Sequence, residues 1–281
     1  MRVLVTGYKG QLGYDVVKRL EKMAIPCQGV DIDDFDLTDA AAVAAYVRAY
    51  APDTVIHCAA YTAVDRAEED KATSYAVNVG GTENIARACR EIDARMVYIS
   101  TDYVFAGDGD QPYETDSPKA PQSQYGLTKS LGEDKVRALL QKYFIVRIAW
   151  VFGINGNNFI KTMLRLGKEK DEINVVCDQF GSPTYTADLA VLLAAMIQTD
   201  RYGIYHATNE GFCSWYEFAG AIMKTFRLKA KVVPITSDQY PSKVARPKNS
   251  RRAQTSLDRA GFQRLPDWQD ALERFKLELN P

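Results

Sequence analysis

Short apolar runs and helical spacings alternate through the first half of the chain. "MRVLVTG" is a β-branched run that stops at glycine, and "QLGYDVVKRLEKM" follows with Leu12, Val16, Val17 and Leu20 on one helical face. "PCQGVDI" then reads as strand, "DAAAVAAYVRAY" as helix, "DTVIHCAA" as strand and "GTENIARACREI" as helix. "RMVYIS", "QYGLTKSLGEDKVRALL" and "YFIVRIAW" extend the series as strand, helix and strand. None of these strands carries the polar alternation of a half-exposed sheet, so the pattern predicts parallel strands buried on both faces. Right-handed crossovers make the expected fold α/β, a doubly wound, Rossmann-like parallel sheet.

Beyond Trp150 the pattern loosens. "GINGNN" reads as a loop, "FIKTMLRLGKEK" and "TADLAVLLAAMIQT" as helices, and Ser214 with Glu217 forms a capping box for the helix in "GFCSWYEFAGAIMKTF". An irregular loop is expected from Pro234 to Asn249, and a last helix near Asp267. With no repeat and no low-complexity linker, the two parts are expected to interleave. Residues 1–152 and about 173–208 are assigned to a dinucleotide-binding domain, and about 153–172 and 209–281 to a smaller substrate-binding region.

Composition narrows the function. Thirty-five basic against 36 acidic residues leave no basic field for nucleic acid. The opening apolar run is too short for a signal-peptide core, and "LAVLLAAMI" is too short to span a membrane, so a soluble cytoplasmic protein is expected. Cys27, Cys58, Cys89, Cys177 and Cys213 lie far apart with no CxxC pair and read as buried thiols. His57 and His206 each sit inside an apolar run, which argues against serine–histidine catalysis and histidine-rich metal sites.

"TGYKGQLG" places Gly7, Gly10 and Gly13 directly after the first strand and at the start of the first helix. Such a loop turns tightly, lets a pyrophosphate approach the backbone and presents it to the positive end of the helix. Eighteen residues past Gly13, Asp31 ends the second strand, where a carboxylate binds ribose hydroxyls. "SQYGLTKS" then sets Tyr125 and Lys129 one helical turn apart, and "YIST" places Thr101 at the end of the fourth strand. A tyrosine gives a proton, a lysine beside it is expected to draw its pKa down, and a hydroxyl steadies a developing oxyanion.

The GxxGxxG spacing with Thr101, Tyr125 and Lys129 resembles the extended branch of the short-chain dehydrogenase/reductase superfamily. "CAAYTAVDRAEED", "NVGGTENIA", "STDYVFAGDG", "RIAWVFG", "NNFIKTMLRL", "DQFGSPT", "RPKNS" and "LPDWQDAL" carry the resemblance on to the dTDP-4-dehydrorhamnose reductases over nearly the whole chain. That resemblance implies reduction of the 4-keto group of a nucleotide-linked deoxysugar by NADPH or NADH. It assigns cofactor contacts to Gly10, Gln11 and Leu12, to Asp36 and Leu37 near the adenine, and to Ala59, Ala60 and Tyr61. It assigns Asp102 and Trp150 to the sugar pocket, and Asn158, Gln179 and Arg246 to the nucleotide diphosphate. Some members form magnesium-bridged dimers, so Mg2+ and a homodimer enter by resemblance alone; no local motif here fixes metal ligands.

Two rival readings stay open. One is a nucleotide-sugar 4-epimerase or dehydratase on the same scaffold. Sugar dehydratases carry Thr-Asp-Glu where this chain reads "TDYVF", so Tyr103 stands in place of the glutamate that elimination uses. The other is a non-catalytic regulatory subunit, against which the intact Thr101, Tyr125 and Lys129 set speaks.

Overall fold

The structure, a computed structural model, describes all residues except Pro241, Lys243, Asn280 and Pro281. Its first half runs β1 (Val3–Thr6), α1 (Gln11–Lys22), β2 (Cys27–Val30), α2 (Ala40–Tyr50) and β3 (Thr54–His57). Two short helices, α3 (Val64–Ala67) and α4 (Lys71–Tyr75), and a π-helical turn at Ala76–Gly81 lead into α5 (Thr82–Glu91). β4 (Arg95–Thr101), α6 (Gln124–Leu139) and β5 (Tyr143–Ile148) follow. The sheet is completed by Gly203–His206 beside β5, which gives the order β2, β1, β3, β4, β5 and this sixth strand, all parallel. The doubly wound expectation holds, and the order reverses between β1 and β3, the place where such sheets bind ligands.

Continuous burial explains the strands. All four residues of β1 and of β3 are buried, and apolar cores cover both faces of the sheet. One core gathers α1 and the helix Thr186–Met196, including Leu12, Val16, Leu189 and Leu193. The other gathers α2, α5 and α6 through Val43, Ile85 and Val136. A third core, formed by Phe152, Ile160, Ile173, Val175, Phe218 and Phe275, holds the helices Phe159–Glu169, Trp215–Thr225 and Trp268–Leu279.

The second half contains strands that the hydrophobic pattern did not predict. Glu172–Val176 pairs in parallel with Lys231–Ile235, so Pro234, expected to open an irregular loop, is the fourth residue of a strand. A two-stranded ribbon leaves one edge unpaired, where a proline's missing N–H does no harm. The remainder of that expected loop includes Pro241 and Lys243, which lie outside the described residues. Ser214 and Glu217 form the expected capping box.

Beneath the sheet's C-terminal end lies a buried ion pair. Arg147 of β5 donates from Nε and Nη2 to the two carboxylate oxygens of Glu133 in α6, at 2.8 Å each, and Ser100 of β4 donates to the same carboxylate at 2.6 Å. Both charged side chains are at most 2% exposed. Arg147→Met removes the bidentate partner of the buried Glu133 and leaves it the Lys119 ammonium at 3.8 Å, and is expected to cost about 3–5 kcal/mol in chemical denaturation. The double variant Glu133→Leu/Arg147→Met should lose much less; a loss below about 1 kcal/mol in the single variant would show that the pair does not hold the fold.

Candidate active site

The glycine loop between β1 and α1 forms one end of a cavity of about 570 Å3. Gly7 sits at φ 69°, a left-handed conformation. A Cβ on Gly13 would meet the Gly7 carbonyl oxygen at 2.3 Å, so the loop folds tightly against the start of α1. This cradle of backbone N–H groups at a helix N-terminus fits the pyrophosphate of a dinucleotide. Asp31 lines the cavity too; its carboxylate accepts the backbone N–H groups of Lys9 at 3.1 Å and Ile32 at 2.9 Å. The Lys9 ammonium, meanwhile, pairs with Asp33.

The structure brings most of the expected residues onto this one cavity. Gly7, Gly10, Gln11, Leu12, Gly13, Asp31, Ala59 and Ala60 line its cofactor end. Thr101, Asp102, Tyr125, Lys129, Trp150, Gln179 and Arg246 line the remainder. Asp36 and Leu37 line a neighbouring cavity of about 180 Å3 that shares Asp31, Ala59 and Ala60. Tyr61 and Asn158 line neither. Tyr61 is tied through its backbone to Asn78, and Asn158 is spent on capping the helix Phe159–Glu169 and on donating to Gln11 at 3.0 Å.

Helix α6 carries Tyr125 and Lys129 in its first turns. Ser123 caps it by accepting the Gly126 N–H at 3.1 Å, and Glu68 accepts the N–H of Gln124 at 2.7 Å, an anion at the helix's positive end. Tyr125, Lys129 and Glu133 recur every fourth residue, so one face of the helix presents all three toward the sheet. Thr101 closes β4 and donates to Asp102 at 2.9 Å; Ser250 donates to the other Asp102 oxygen at 2.5 Å.

Burial sets the electrostatics. Lys129 is 3% exposed, and desolvation lowers its pKa from 10.5 to about 7 against the upward pull of Glu133 and Cys58. Its ammonium nitrogen lies 4.1 Å from the centre of the Tyr98 ring, a cation–π contact. Tyr125 is pushed up to about 12 by desolvation, opposed by its hydrogen bond with Thr101. The ring is only half-buried by accessible surface, so water entering through the cavity moderates that rise. The expected depression of Tyr125 by Lys129 is therefore not found: desolvation and the nearby Asp102 raise it, and Thr101, not Lys129, opposes them. Tyr125 keeps its proton across the physiological range, the state in which it serves as an acid. His57 falls to about 3 and His206 well below 6.5, both through burial, so neither offers a base at neutral pH by gaining charge.

Several cavity residues escaped the sequence. Trp215 stacks on Trp150 with ring centres 3.7 Å apart, and Trp150 itself holds φ 49°, a left-handed conformation uncommon for a bulky residue. Ser250 and Cys58 also line the cavity. Glu133 could have been found by extending the four-residue spacing from Lys129; Trp215 and Ser250 had no local signal.

A family model described as the RmlD substrate binding domain matches residues 1–280. The chain is 41% identical to a dTDP-4-dehydrorhamnose reductase of Streptomyces griseus, covering 96% of this chain and 91% of that protein. It is 37% identical to a dTDP-4-keto-6-deoxy-D-glucose reductase of Streptomyces niveus, covering 96% and 95%. The crystal structure of dTDP-4-dehydrorhamnose reductase from Bacillus anthracis in complex with NADP superposes with a TM-score of 0.96 at 44% identity, covering 99% of each chain.

Because burial lowers Lys129 from 10.5 to about 7, the unfolded chain binds a proton between those pH values that the folded chain gives up. Folding is penalised fully below about pH 7, and the penalty fades as pH rises toward 10.5. Lys129→Met should therefore raise Tm by a few degrees at about pH 6, with the gain shrinking by about pH 9. An offset that does not change with pH would show that Lys129 keeps its ordinary affinity for the proton.

Proposed function

This chain belongs to the RmlD family of dTDP-4-dehydrorhamnose reductases, and from that membership we propose how its residues carry the reaction. It is an NAD(P)H-dependent oxidoreductase that reduces the 4-keto group of dTDP-4-dehydro-L-rhamnose to dTDP-L-rhamnose. The observation that supports the residue assignments best is the convergence of Thr101, Tyr125 and Lys129 on the wall of a cavity that begins at the glycine loop.

The bound cofactor supplies the hydride. Gly7, Gly10, Gln11, Leu12 and Gly13 hold its pyrophosphate, Asp31 its adenosine ribose, and Asp36 and Leu37 its adenine side, with Ala59 and Ala60 between the two cavities; Tyr61, which lines neither, is not assigned a direct contact. Tyr125 gives the proton to the sugar oxygen as hydride reaches the carbon. Lys129 anchors the nicotinamide ribose and, when charged, eases departure of the phenolic proton. Thr101 turns its hydroxyl from Asp102 toward the same oxygen as negative charge gathers there. Asp102, Trp150 and the stacked Trp215 enclose the sugar, while Gln179 and Arg246 meet the diphosphate. Arg246 is half-exposed at the cavity rim; its Nη2 pairs with Asp65 at 2.8 Å and its Nε donates to Ser242 at 3.4 Å, so a bidentate phosphate contact would replace these bonds. Asn158 acts through Gln11 rather than on the diphosphate.

The dinucleotide-binding unit is the six-stranded sheet with its helices, and the third apolar core is the sugar-nucleotide unit. No helix among the described residues is long and apolar enough to cross a membrane, in keeping with the cytoplasmic setting we propose. Among the described residues of one chain no group of three or more His, Cys, Asp or Glu could hold an ion, so the Mg2+ implied by resemblance would need ligands shared between two chains. The homodimer that the resemblance implies is read by light scattering with and without Mg2+.

The reaction is tested by product analysis alongside absorbance at 340 nm, the reduced-nicotinamide band. One NAD(P)H should disappear per dTDP-L-rhamnose formed, with NADH and NADPH run in parallel to read the preference. Sugar conversion at constant absorbance would replace this reading with an epimerase. Faster turnover of dTDP-4-keto-6-deoxy-D-glucose would move the substrate to that of the Streptomyces niveus relative. Tyr125→Phe should bind cofactor as before and lose about 10²- to 10⁴-fold in kcat; near-normal turnover would remove Tyr125 as the acid.

A further inference from the structure

Arg252 is among the largest fully buried side chains, and none of its three guanidinium nitrogens has a hydrogen-bond partner. A buried, unpartnered cation is a costly arrangement that persists where something else depends on it. Its placement follows from the backbone. Residues 249–252 run extended, with Asn249 bridged to Phe180 and Arg252 bridged to Tyr113. Ser250 and Arg252, two apart on an extended segment, project to the same side. Ser250 on that side reaches Asp102 at 2.5 Å.

Charge balance points the same way. Among the described residues the buried acids are Asp15, Asp102 and Glu133, and the buried bases with long side chains are Lys129, Arg147 and Arg252. Asp15 is bonded to Thr186 on the far side of α1, and Glu133 is committed to Arg147. Asp102 is left as the buried carboxylate that Arg252 can balance, and it is the favourable charge felt by Arg252, whose pKa burial lowers to about 10.

We propose that Arg252 is a positioning residue for the reduction, balancing the charge of Asp102 so that the Thr101 hydroxyl is free to turn to the substrate oxygen. The proposal rests on the reductive reading above. Without Arg252, Asp102 stands as an uncompensated buried anion that grips the Thr101 proton or takes a proton of its own. The groups facing Asp102 are the hydroxyls of Thr101 and Ser250 and the rings of Tyr103 and Tyr125. Those facing Arg252 are Asp102, Arg147 from β5 and His206 from the strand Gly203–His206. Arg147 is already bound to Glu133, and Lys129 lies one turn before Glu133 on α6.

The test compares Arg252→Met, Arg252→Lys and the parent enzyme in kcat, KM, cofactor affinity and the pH profile of kcat/KM. Arg252→Met is expected to lower kcat about tenfold or more with KM and cofactor affinity little changed, and to move the acid limb of the profile to higher pH. Arg252→Lys, which keeps the charge, should recover most of the kcat and the parent's acid limb. An Arg252→Met enzyme that melts earlier yet keeps the parent's kcat and acid limb would overturn the proposal and make Arg252 a packing residue. Should Arg252→Met not fold, Arg252→Gln against Arg252→Lys separates charge from packing, and equal kcat with equal acid limbs in those two also overturns it. Absence of NAD(P)H consumption by the parent enzyme would count against the assigned reaction, a failure read before any variant is made.

Discussion

The Glu133–Arg147 pair is the constraint on which the active site depends. It ties α6 to β5 through two parallel hydrogen bonds, with Ser100 of β4 on the same carboxylate. A bidentate contact of this kind tolerates little sliding or rotation of the helix. Tyr125 and Lys129 lie two turns and one turn upstream on the same face, so their positions against the cofactor cavity follow from that anchor. Desolvating both charges makes the pair a poor source of net stability. What it supplies is register, and the penalty for losing either partner protects that register.

Lys129 works in the field of this anchor. Burial favours its neutral form and Glu133 favours its charged form, and the balance falls near neutrality. A lysine so poised changes charge with small changes in its surroundings, whereas an ordinary surface lysine is already fully solvated and charged. Tyr125 is held protonated by desolvation, the state that the proposed acid role requires.

Segments that follow β5 are fastened directly to the loop between β1 and α1. Asn155 donates to the Lys9 carbonyl at 2.7 Å and Asn158 to Gln11 at 3.0 Å, so the loop after β5 rests on the glycine loop. From near the chain's end, Ser250 reaches back to Asp102 beside Thr101. The cavity is thus walled by residues from distant parts of the chain, and the strained Trp150 backbone at its centre is held by the stacked Trp215 and the close approach of Gly181.

The alternation of apolar runs and helical spacings was enough to read the parallel sheet, because strands buried on both faces must be continuously apolar. Glycine spacing was enough to read the tight turn into α1, because only a residue without Cβ fits where Gly13 meets Gly7. Tyr125 and Lys129 were legible for the same reason: a helix brings residues four apart onto one face without help from the remainder of the fold. The ribbon of Glu172–Val176 and Lys231–Ile235 was not legible, since it is short, carries a proline and closes across more than fifty residues. Nor were Ser250, Trp215 and Arg252, whose surroundings are made by segments far away in sequence. The same holds for the direction in which Tyr125 and Lys129 shift. Adjacency along α6 suggested that the lysine would draw the tyrosine down, but how much water each group loses is set by the packing of α6 against the sheet, and that desolvation outweighs the effect of their spacing.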